Sequence, residues 1–294
     1  MNSSYNKSYP SRSILSNRNI ILICIAWGVL TLLYFLLFSA KIPGQDGIEK
    51  RADWYLIGTN IFEGLAYLGA GVLCLRNWRS PQIVSSRKVW LAIAMAMFCY
   101  FLGVIFFGYT EIVLGEEPDV SYGDIFFVPS YIFVSIGMIL AVSSRRLNLE
   151  KWQLLILSAI AMLGSLLAWW LTQETGALQQ LAAQQTSPLE QLAAILSLFY
   201  VVSDVVLLII ATTLLLAFWG GKASHSWRMI AAATISLYIA DMWFKYAQER
   251  PNYQSGDILE VFWVFSGILF GMGAVLEHEA SLSRIRRERG RKRA

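Results

Sequence analysis

The feature that most constrains this chain is a series of eight long apolar runs, each between 18 and 27 residues. A helix rises about 1.5 Å per residue, so runs of this length cross a hydrocarbon core about 30 Å thick. Charged residues make up 15% of the chain, against about 25% in soluble domains. Because backbone groups in lipid must bond internally, the sequence predicts an all-α integral membrane protein with eight transmembrane helices. The runs are 20–40, 54–75, 89–114, 122–142, 152–171, 193–219, 229–246 and 258–276.

The basic residues predict how these helices are oriented. Lysine and arginine concentrate in cytoplasmic loops of membrane proteins. The two tails and the loops on their side carry 19 of the 24 Lys and Arg residues, and the opposite side carries 5. We therefore expect an even number of crossings and two cytoplasmic termini, an N-terminal tail at 1–19 and a basic C-terminal tail at 278–294. The acids show the reverse distribution, because 16 of 20 lie outside or in the membrane.

Two acidic turns repeat along the chain. "EEPDVSYGDIFFV" at 116–128 and "ERPNYQSGDILEV" at 249–261 share six of thirteen positions at a constant offset of 133. Each turn is predicted on the outer side, before the fourth and the eighth helix. Four helices separate the copies, so the two halves run in the same direction and form a parallel repeat. We predict two four-helix repeats, 20–143 and 144–277, with any site at their interface.

Polar residues within the predicted helices are the candidates for a functional site. Ionisable groups in a membrane are costly and usually face the bundle interior or water. Asn60, Glu63 and Tyr67 are spaced i, i+3 and i+7, so they share one face of the second helix. Asp241 lies one turn before Lys245, and the two can pair. The ligand-binding or polar-network candidates are Asn60, Glu63, Tyr67, Asp124, Asp204, Asp241, Lys245 and Asp257.

Each candidate also has a purely structural interpretation. Asp124 and Asp257 open predicted helices, where a carboxylate caps free N–H groups and meets the positive end of the helix dipole. Lys245 is close enough to the membrane boundary to extend its ammonium group into water. Glu63, Asp204 and Asp241 can serve as protonated acids that bond one helix to another, and the sequence leaves these alternatives open.

The sequence shows no motif that is typical of a catalytic or metal-binding site. Cys24, Cys74 and Cys99 lie in apolar runs without a C-x-x-C spacing, so neither a zinc site nor a disulfide is indicated. His225 and His278 lie in predicted cytoplasmic segments, far from the acids. The chain has no G-x-S-x-G, H-E-x-x-H or phosphate-loop motif. We therefore predict no enzyme activity, no metal, no cofactor and no nucleic-acid partner.

Four segments carry a resemblance to a known family. They are "PDVSYGDIFFVPSYIFVSIGMIL", "FYVVSDVVLLIIATTLLL", "LYIADMWFKYA" and "YQSGDILEVFWVFSGILFGMGA". Over about residues 54–276 the chain resembles the multi-pass membrane sensory module that lies N-terminal to bacterial diguanylate cyclases, phosphodiesterases and histidine kinases. The matching positions are Asp124, Asp204, Asp241, Asp257 and Trp263. The resemblance implies sensing of a ligand or of the membrane state, in a bacterial inner membrane.

The C-terminal segment departs from that family. Only 17 residues follow Glu277, too few for an output domain, and seven of them are basic. A basic juxtamembrane segment suits anionic lipid or a cytoplasmic signalling partner, although the positive-inside rule alone explains it. We therefore expect a free-standing sensor that binds a small or cationic ligand in an outer-facing polar pocket. The alternatives are a small proton- or cation-coupled secondary transporter and a structural membrane subunit.

Overall fold

A computed structural model describes residues 16–43, 49–115, 120–143, 149–183, 187–217, 224–250 and 253–291. Within these residues, seven helices are long and apolar enough to cross a membrane, which confirms a multi-span, helical membrane architecture. Residues 116–119 and 251–252, which belong to the two acidic turns, lie outside the described residues, as do most of the N-terminal tail and the last three residues. The helices are α1 Asn17–Phe38, α2 Asp53–Arg79, α3 Arg87–Gly108, α4 Asp124–Ser143, α5 Lys151–Glu174, α6 Ala177–Ala182, α7 Pro188–Ala217, α8 Ser224–Gln248 and α9 Val261–Arg291.

The seventh predicted crossing, 229–246, lies in α8, which is a helix of 25 residues but is not among the seven apolar ones. Its sequence contains five alanines and three serines and carries Asp241 and Lys245. Many of its side chains are buried, among them Ile230, Ala233 and Thr234. A helix that packs against protein on most sides needs little apolar surface for lipid. The structure thus gives seven apolar spans and one long, more polar helix in place of eight equivalent spans.

Six of the helices form a closed ring. In the order α2, α3, α4, α7, α8 and α9, each helix contacts the next one, and α9 returns to contact α2. Outside the ring, α1 packs against α9 and α2, while α5 packs against α7 and α8. Helices that precede residue 144 therefore meet helices that follow residue 148 where α4 contacts α7 and where α9 contacts α2 and α1. Whether the two sets arose by duplication stays a prediction.

Short links join the helices, so that successive long helices alternate in direction. We call the end of the bundle where α2, α4, α7 and α9 begin the acidic end. Two elements at this end were not expected from the sequence, namely the helix α6 and a small antiparallel hairpin of β1 (Ile42–Pro43) and β2 (Glu49–Lys50). The links at the two ends are tied to the bundle, because Arg51 bonds to Gln254 at the acidic end and Val84 bonds to Ser281 at the opposite end.

The ring is filled with apolar side chains at the end opposite the acidic end. Trp90 and Ile93 of α3, Met138 of α4, Leu214 of α7 and Phe270 of α9 belong to one buried cluster. This packing leaves most of the buried acids of the ring helices in the half nearer the acidic end, although Asn77 and Glu277 are buried in the other half. The candidate site lies in the half nearer the acidic end.

Candidate functional site

A cavity of about 130 Å³ lies inside the ring on the side of the acidic end. Every ring helix contributes to its wall, and Ser121 and Ser255 border it where links join the helices. Within the described part of the chain, its charged lining consists of six carboxyl side chains and one ammonium group. These are Glu63, Glu111, Asp124, Asp204, Asp241, Glu260 and Lys245.

Asp241 of α8 is held between two aromatic residues from other helices. The hydroxyl of Tyr131, in α4, donates to Asp241 Oδ2 at 2.6 Å. The indole N–H of Trp263, in α9, donates to Asp241 Oδ1 at 2.7 Å. Both carboxyl oxygens therefore have a donor, and hydrogen bonds to a charged acceptor are stronger than those between neutral groups. Asp241 thus joins three ring helices at one point.

Asp204 of α7 lines the cavity beside Asp241, close enough for each carboxyl group to act on the other. Its side chain is 1% exposed, yet its Oδ2 atom has no hydrogen-bond partner. A buried polar atom without a partner costs about 1–3 kcal/mol. Such an atom calls for a specific explanation, because most buried polar atoms are bonded.

Asp124 combines a structural contact with a position in the cavity wall. Its Oδ2 accepts the backbone N–H of Ser121 at 2.7 Å, which fixes the turn before α4. Its Oδ1 accepts the hydroxyl of Tyr200, in α7, at 2.6 Å. The ammonium group of Lys245 lies 5.9 Å from the centroid of the Tyr200 ring. Asp124 therefore connects α4 to α7 as well as capping its own helix.

The predicted face of α2 is divided between the cavity and the core. Asn60 and Glu63 line the cavity. The Asn60 amide donates to the carbonyl of Leu56 at 2.9 Å. Tyr67 is buried and stacks on Tyr100, with 3.8 Å between ring centroids. Since Tyr100 lines the cavity, Tyr67 supports the wall from the core side and does not itself reach the cavity.

The segment between α8 and α9 forms part of the rim. Glu260 accepts the hydroxyl of Tyr253 at 2.5 Å and the backbone N–H of Gly256 at 2.7 Å. Burial and the nearby Glu260 carboxylate raise the pKa of the Tyr253 hydroxyl, so it stays a donor. Gly256 has φ +90°, a conformation that favours glycine. Its carbonyl accepts the hydroxyl of Tyr55 at 2.7 Å, which ties the rim to α2.

Asp257 serves a different purpose from the other candidates. Its carboxylate accepts the backbone N–H of Ile258 at 2.6 Å, at the start of the 3-10 turn Ile258–Glu260. It is not part of the cavity wall, whose described residues next to it are Gly256 and Glu260. The two acidic turns therefore differ, because Asp124 reaches the cavity and Asp257 caps a helix.

Several wall residues were not among the predicted candidates. Glu111 lies in a single π-helical turn, Tyr109–Val113, that continues α3, and such turns are frequent at functional sites. Glu260 lies in the 3-10 turn before α9. In the sequence, the aromatic donors Tyr131 and Tyr200 look like membrane anchors or core residues, and Trp263 stands out only as a position of the family resemblance. Their spacing to an acid on another helix becomes visible only when the helices are assembled.

The cavity is thus suited to positive charge and to apolar groups. Its carboxyl groups outnumber its ammonium groups, and its wall includes Tyr100, Phe127, Phe244 and Trp263. Across the described ranges, no group of three or more His, Cys, Asp or Glu residues could hold a metal ion. No protein-family model, curated protein or solved structure matches the chain. Its function therefore has to be argued from this geometry.

Proposed function

We propose that the chain is a membrane receptor or sensor module that binds a small, positively charged ligand in the cavity at its acidic end. Positive-inside orientation supports an outward-facing acidic end. The resemblance to bacterial sensory modules supports a role in signalling, in a bacterial inner membrane. This proposal includes α8 as an eighth crossing, because at about 1.5 Å per residue its 25 residues span about 37 Å.

The observation that carries the proposal is an acidic cavity with a closed floor. On each ring helix the cavity residues lie nearer the acidic end, and buried apolar residues follow toward the other end. Examples are Tyr131 followed by Met138 on α4, and Asp204 followed by Leu214 on α7. A ligand enters and leaves such a cavity from one side. A transporter needs, in another state, a polar route to the opposite side, and the apolar packing beyond the cavity therefore favours a receptor.

The helix α9 offers a route from the cavity to the opposite end. It begins beside Glu260 and contributes Trp263, which bonds to Asp241. It then continues for 31 residues to Arg291, or about 46 Å at 1.5 Å per residue, compared with about 30 Å for the hydrocarbon core. Its last turns carry exposed Arg284 and Arg287. A shift at its start is therefore transmitted to a basic segment beyond the membrane, where anionic lipid or a signalling partner can respond.

Ligand-dependent thermal stability in nanodiscs tests this proposal. The panel contains alkylammonium ions, monovalent metal ions and uncharged analogues of the same size. We expect cations to raise the unfolding temperature, since binding to the folded state alone stabilises it. The Asp204→Asn/Asp241→Asn double variant should lose the shift, and Asp257→Asn, a cap outside the cavity, should keep it. Stabilisation by cations that survives in the double variant, or no stabilisation by any cation, would overturn the proposal.

A further inference from the structure

Asp204 differs in its hydrogen bonding from three other acids of the cavity wall. Asp124, Asp241 and Glu260 each have donors on both carboxyl oxygens. Asp204 is as deeply buried as any of these, at 1% exposed, and its Oδ2 atom has no partner. Asp204 is therefore a residue of the cavity wall that holds a buried acceptor atom without a hydrogen-bond donor from the protein.

We infer that Asp204 Oδ2 anchors the ligand by accepting an N–H hydrogen bond, and that the ligand is a small ammonium ion with an apolar body. The inference rests on the proposed function and specifies its ligand. An ammonium ion that carries at least one N–H supplies both things that this atom lacks, a hydrogen-bond donor and a compensating charge. Charge-assisted bonds of this kind are short and strong.

The neighbouring carboxyl group of Asp241 explains why the ligand should carry a positive charge. Asp204 and Asp241 lie side by side in a low-dielectric interior, where two like charges repel each other strongly. Asp241 already accepts one hydrogen bond on each oxygen, from Tyr131 and Trp263. A cation bound at Asp204 reduces the repulsion between the two groups without displacing those bonds. The geometry therefore favours a ligand at Asp204 over one that replaces the donors of Asp241.

The wall around Asp204 indicates that the apolar part of the ligand is about the size of one aromatic ring. The Tyr131 and Tyr200 ring centroids lie 5.3 Å apart, and those of Phe244 and Trp263 lie 5.2 Å apart. Aromatic faces attract cations and pack against other rings. The cavity of about 130 Å³ is close in size to an engineered cavity of about 150 Å³ that binds benzene. A metal ion would neither pack against these rings nor fill a cavity of this volume.

A series of four probes on the wild-type protein tests the inference without relying on any variant to fold. Benzylamine and N,N-dimethylbenzylamine carry an N–H when protonated, benzyltrimethylammonium carries charge without an N–H, and benzyl alcohol carries no charge. Binding to nanodisc-embedded protein is measured by titration calorimetry. We expect the two protonated amines to bind about tenfold or more tightly than the quaternary ion and the alcohol. The dimethyl compound is one methyl smaller than the quaternary ion, which separates the loss of the donor from added bulk.

Two variants test the anchor itself. Asp204→Asn keeps the shape of the side chain and removes its charge, and we expect it to weaken benzylamine binding by about tenfold or more. Asp257→Asn makes the same chemical change at a helix cap outside the cavity and should bind benzylamine like the wild type. The unfolding temperature of each variant shows whether it is folded.

The outcomes separate the inference from the proposed function. If benzyltrimethylammonium or a monovalent metal ion binds as tightly as benzylamine, a cation site exists but the N–H anchor is wrong. Wild-type affinity for benzylamine in folded Asp204→Asn contradicts the anchor as well. If no cation binds to the wild-type protein, the proposed function fails together with the inference.

Discussion

At the scale of single residues, the cavity is organised by pairs of an acid and an aromatic donor on different helices. Tyr131 with Asp241, Trp263 with Asp241 and Tyr200 with Asp124 are three such pairs. An aromatic donor can present an apolar ring to neighbouring side chains and a polar tip to the acid. A carboxyl group can therefore lie inside the ring without full exposure to water. Asp204 Oδ2 departs from this pattern, which is why the ligand is assigned to it.

Removal of one such donor should destabilise the protein measurably. In Tyr131→Phe the ring remains, but Asp241 Oδ2 loses the hydroxyl that lies 2.6 Å away. We expect a loss of about 1–2 kcal/mol in the free energy of unfolding, because hydrogen bonds between membrane helices average below 1 kcal/mol and a buried acceptor left unpaired costs more. Unfolding in mixed micelles by titration with a denaturing detergent measures this loss.

The matched control is Tyr109→Phe. Tyr109 is 49% exposed, so the same chemical change should cost less than about 0.5 kcal/mol. Equal effects of the two substitutions would mean that the Tyr131 hydroxyl contributes no more than an exposed hydroxyl.

The residues of the site were only partly predictable from the sequence. Glu63, Asp204 and Asp241 were identifiable because an acid within an apolar run is costly and seldom lacks a reason. Tyr131 and Tyr200 were not, since tyrosine is also common at membrane boundaries and in cores. Asp124 and Asp257 have the same local sequence, G-D-I. Only the assembled bundle separates them, because α7 brings Tyr200 to Asp124 while Asp257 bonds to its own helix.

At the scale of elements, α9 and α2 pack so closely at Gly267 that a larger side chain there would crowd the backbone of α2. A Cβ atom at Gly267 would lie 3.1 Å from the backbone carbon of Ala66 and 3.1 Å from the backbone nitrogen of Tyr67. These atoms belong to a helix backbone and cannot move alone. Gly267 lies one turn beyond Trp263, so this contact also positions the start of α9 beside the cavity.

We expect Gly267→Ala to destabilise the protein by about 1–3 kcal/mol, the usual cost of overpacking. Gly69→Ala is the control, because nothing lies within 4 Å of a Cβ atom at that position of α2. Alanine is a better helix former than glycine by about 1 kcal/mol, so the control should be neutral or stabilising. Thermal unfolding of both variants in nanodiscs checks this expectation. A Gly267→Ala variant as stable as the control would mean that α9 shifts at little cost.

The elements themselves were more predictable than the sites between them. Long apolar runs indicate helices in lipid because no other open structure satisfies the backbone there. Hydropathy could not show that the run 229–246 belongs to a helix surrounded by protein, nor that Ala177–Ala182 forms a short helix between two long ones. The order of helices around the ring depends on contacts such as Asn77 to Ala274, 197 residues apart. No local pattern in the sequence encodes contacts at that separation.

At the scale of the whole molecule, the proposed function requires the acidic end to face outward. Single cysteines placed at Gln180 of α6 and at Ser283 of α9 lie near opposite ends of the bundle, and both native side chains are exposed. After replacement of the three native cysteines, we expect a membrane-impermeant thiol reagent to label Gln180→Cys in intact cells. Ser283→Cys should be labelled only after permeabilisation. The opposite result would place the cavity on the cytoplasmic side.

A second prediction for the whole molecule is that ligand binding in the cavity causes a movement of α9 at its far end. The link between α2 and α3 touches α9 at its far end, where the backbone N–H of Val84 donates to the hydroxyl of Ser281 at 3.1 Å. Spin labels at Gln82 and Ser283 therefore report movement of α9 relative to α2 and α3. With benzylamine bound, we expect the distance distribution of this pair to shift by about 1–2 Å, the size of typical helix displacements in switching proteins.

A label pair that omits α9 provides the matched control for that measurement. Gln82 and Lys151 lie at the same end, in or next to links that do not include α9, and their distance should not change. Asp204→Asn should abolish the shift of the Gln82–Ser283 pair, because the ligand no longer binds. If benzylamine binds to the wild-type protein and both pairs stay unchanged, α9 does not carry the signal. The alternative response would then be closure of the cavity rim, where Glu260 accepts the N–H of Gly256. Such a closure would signal to a partner on the outer side.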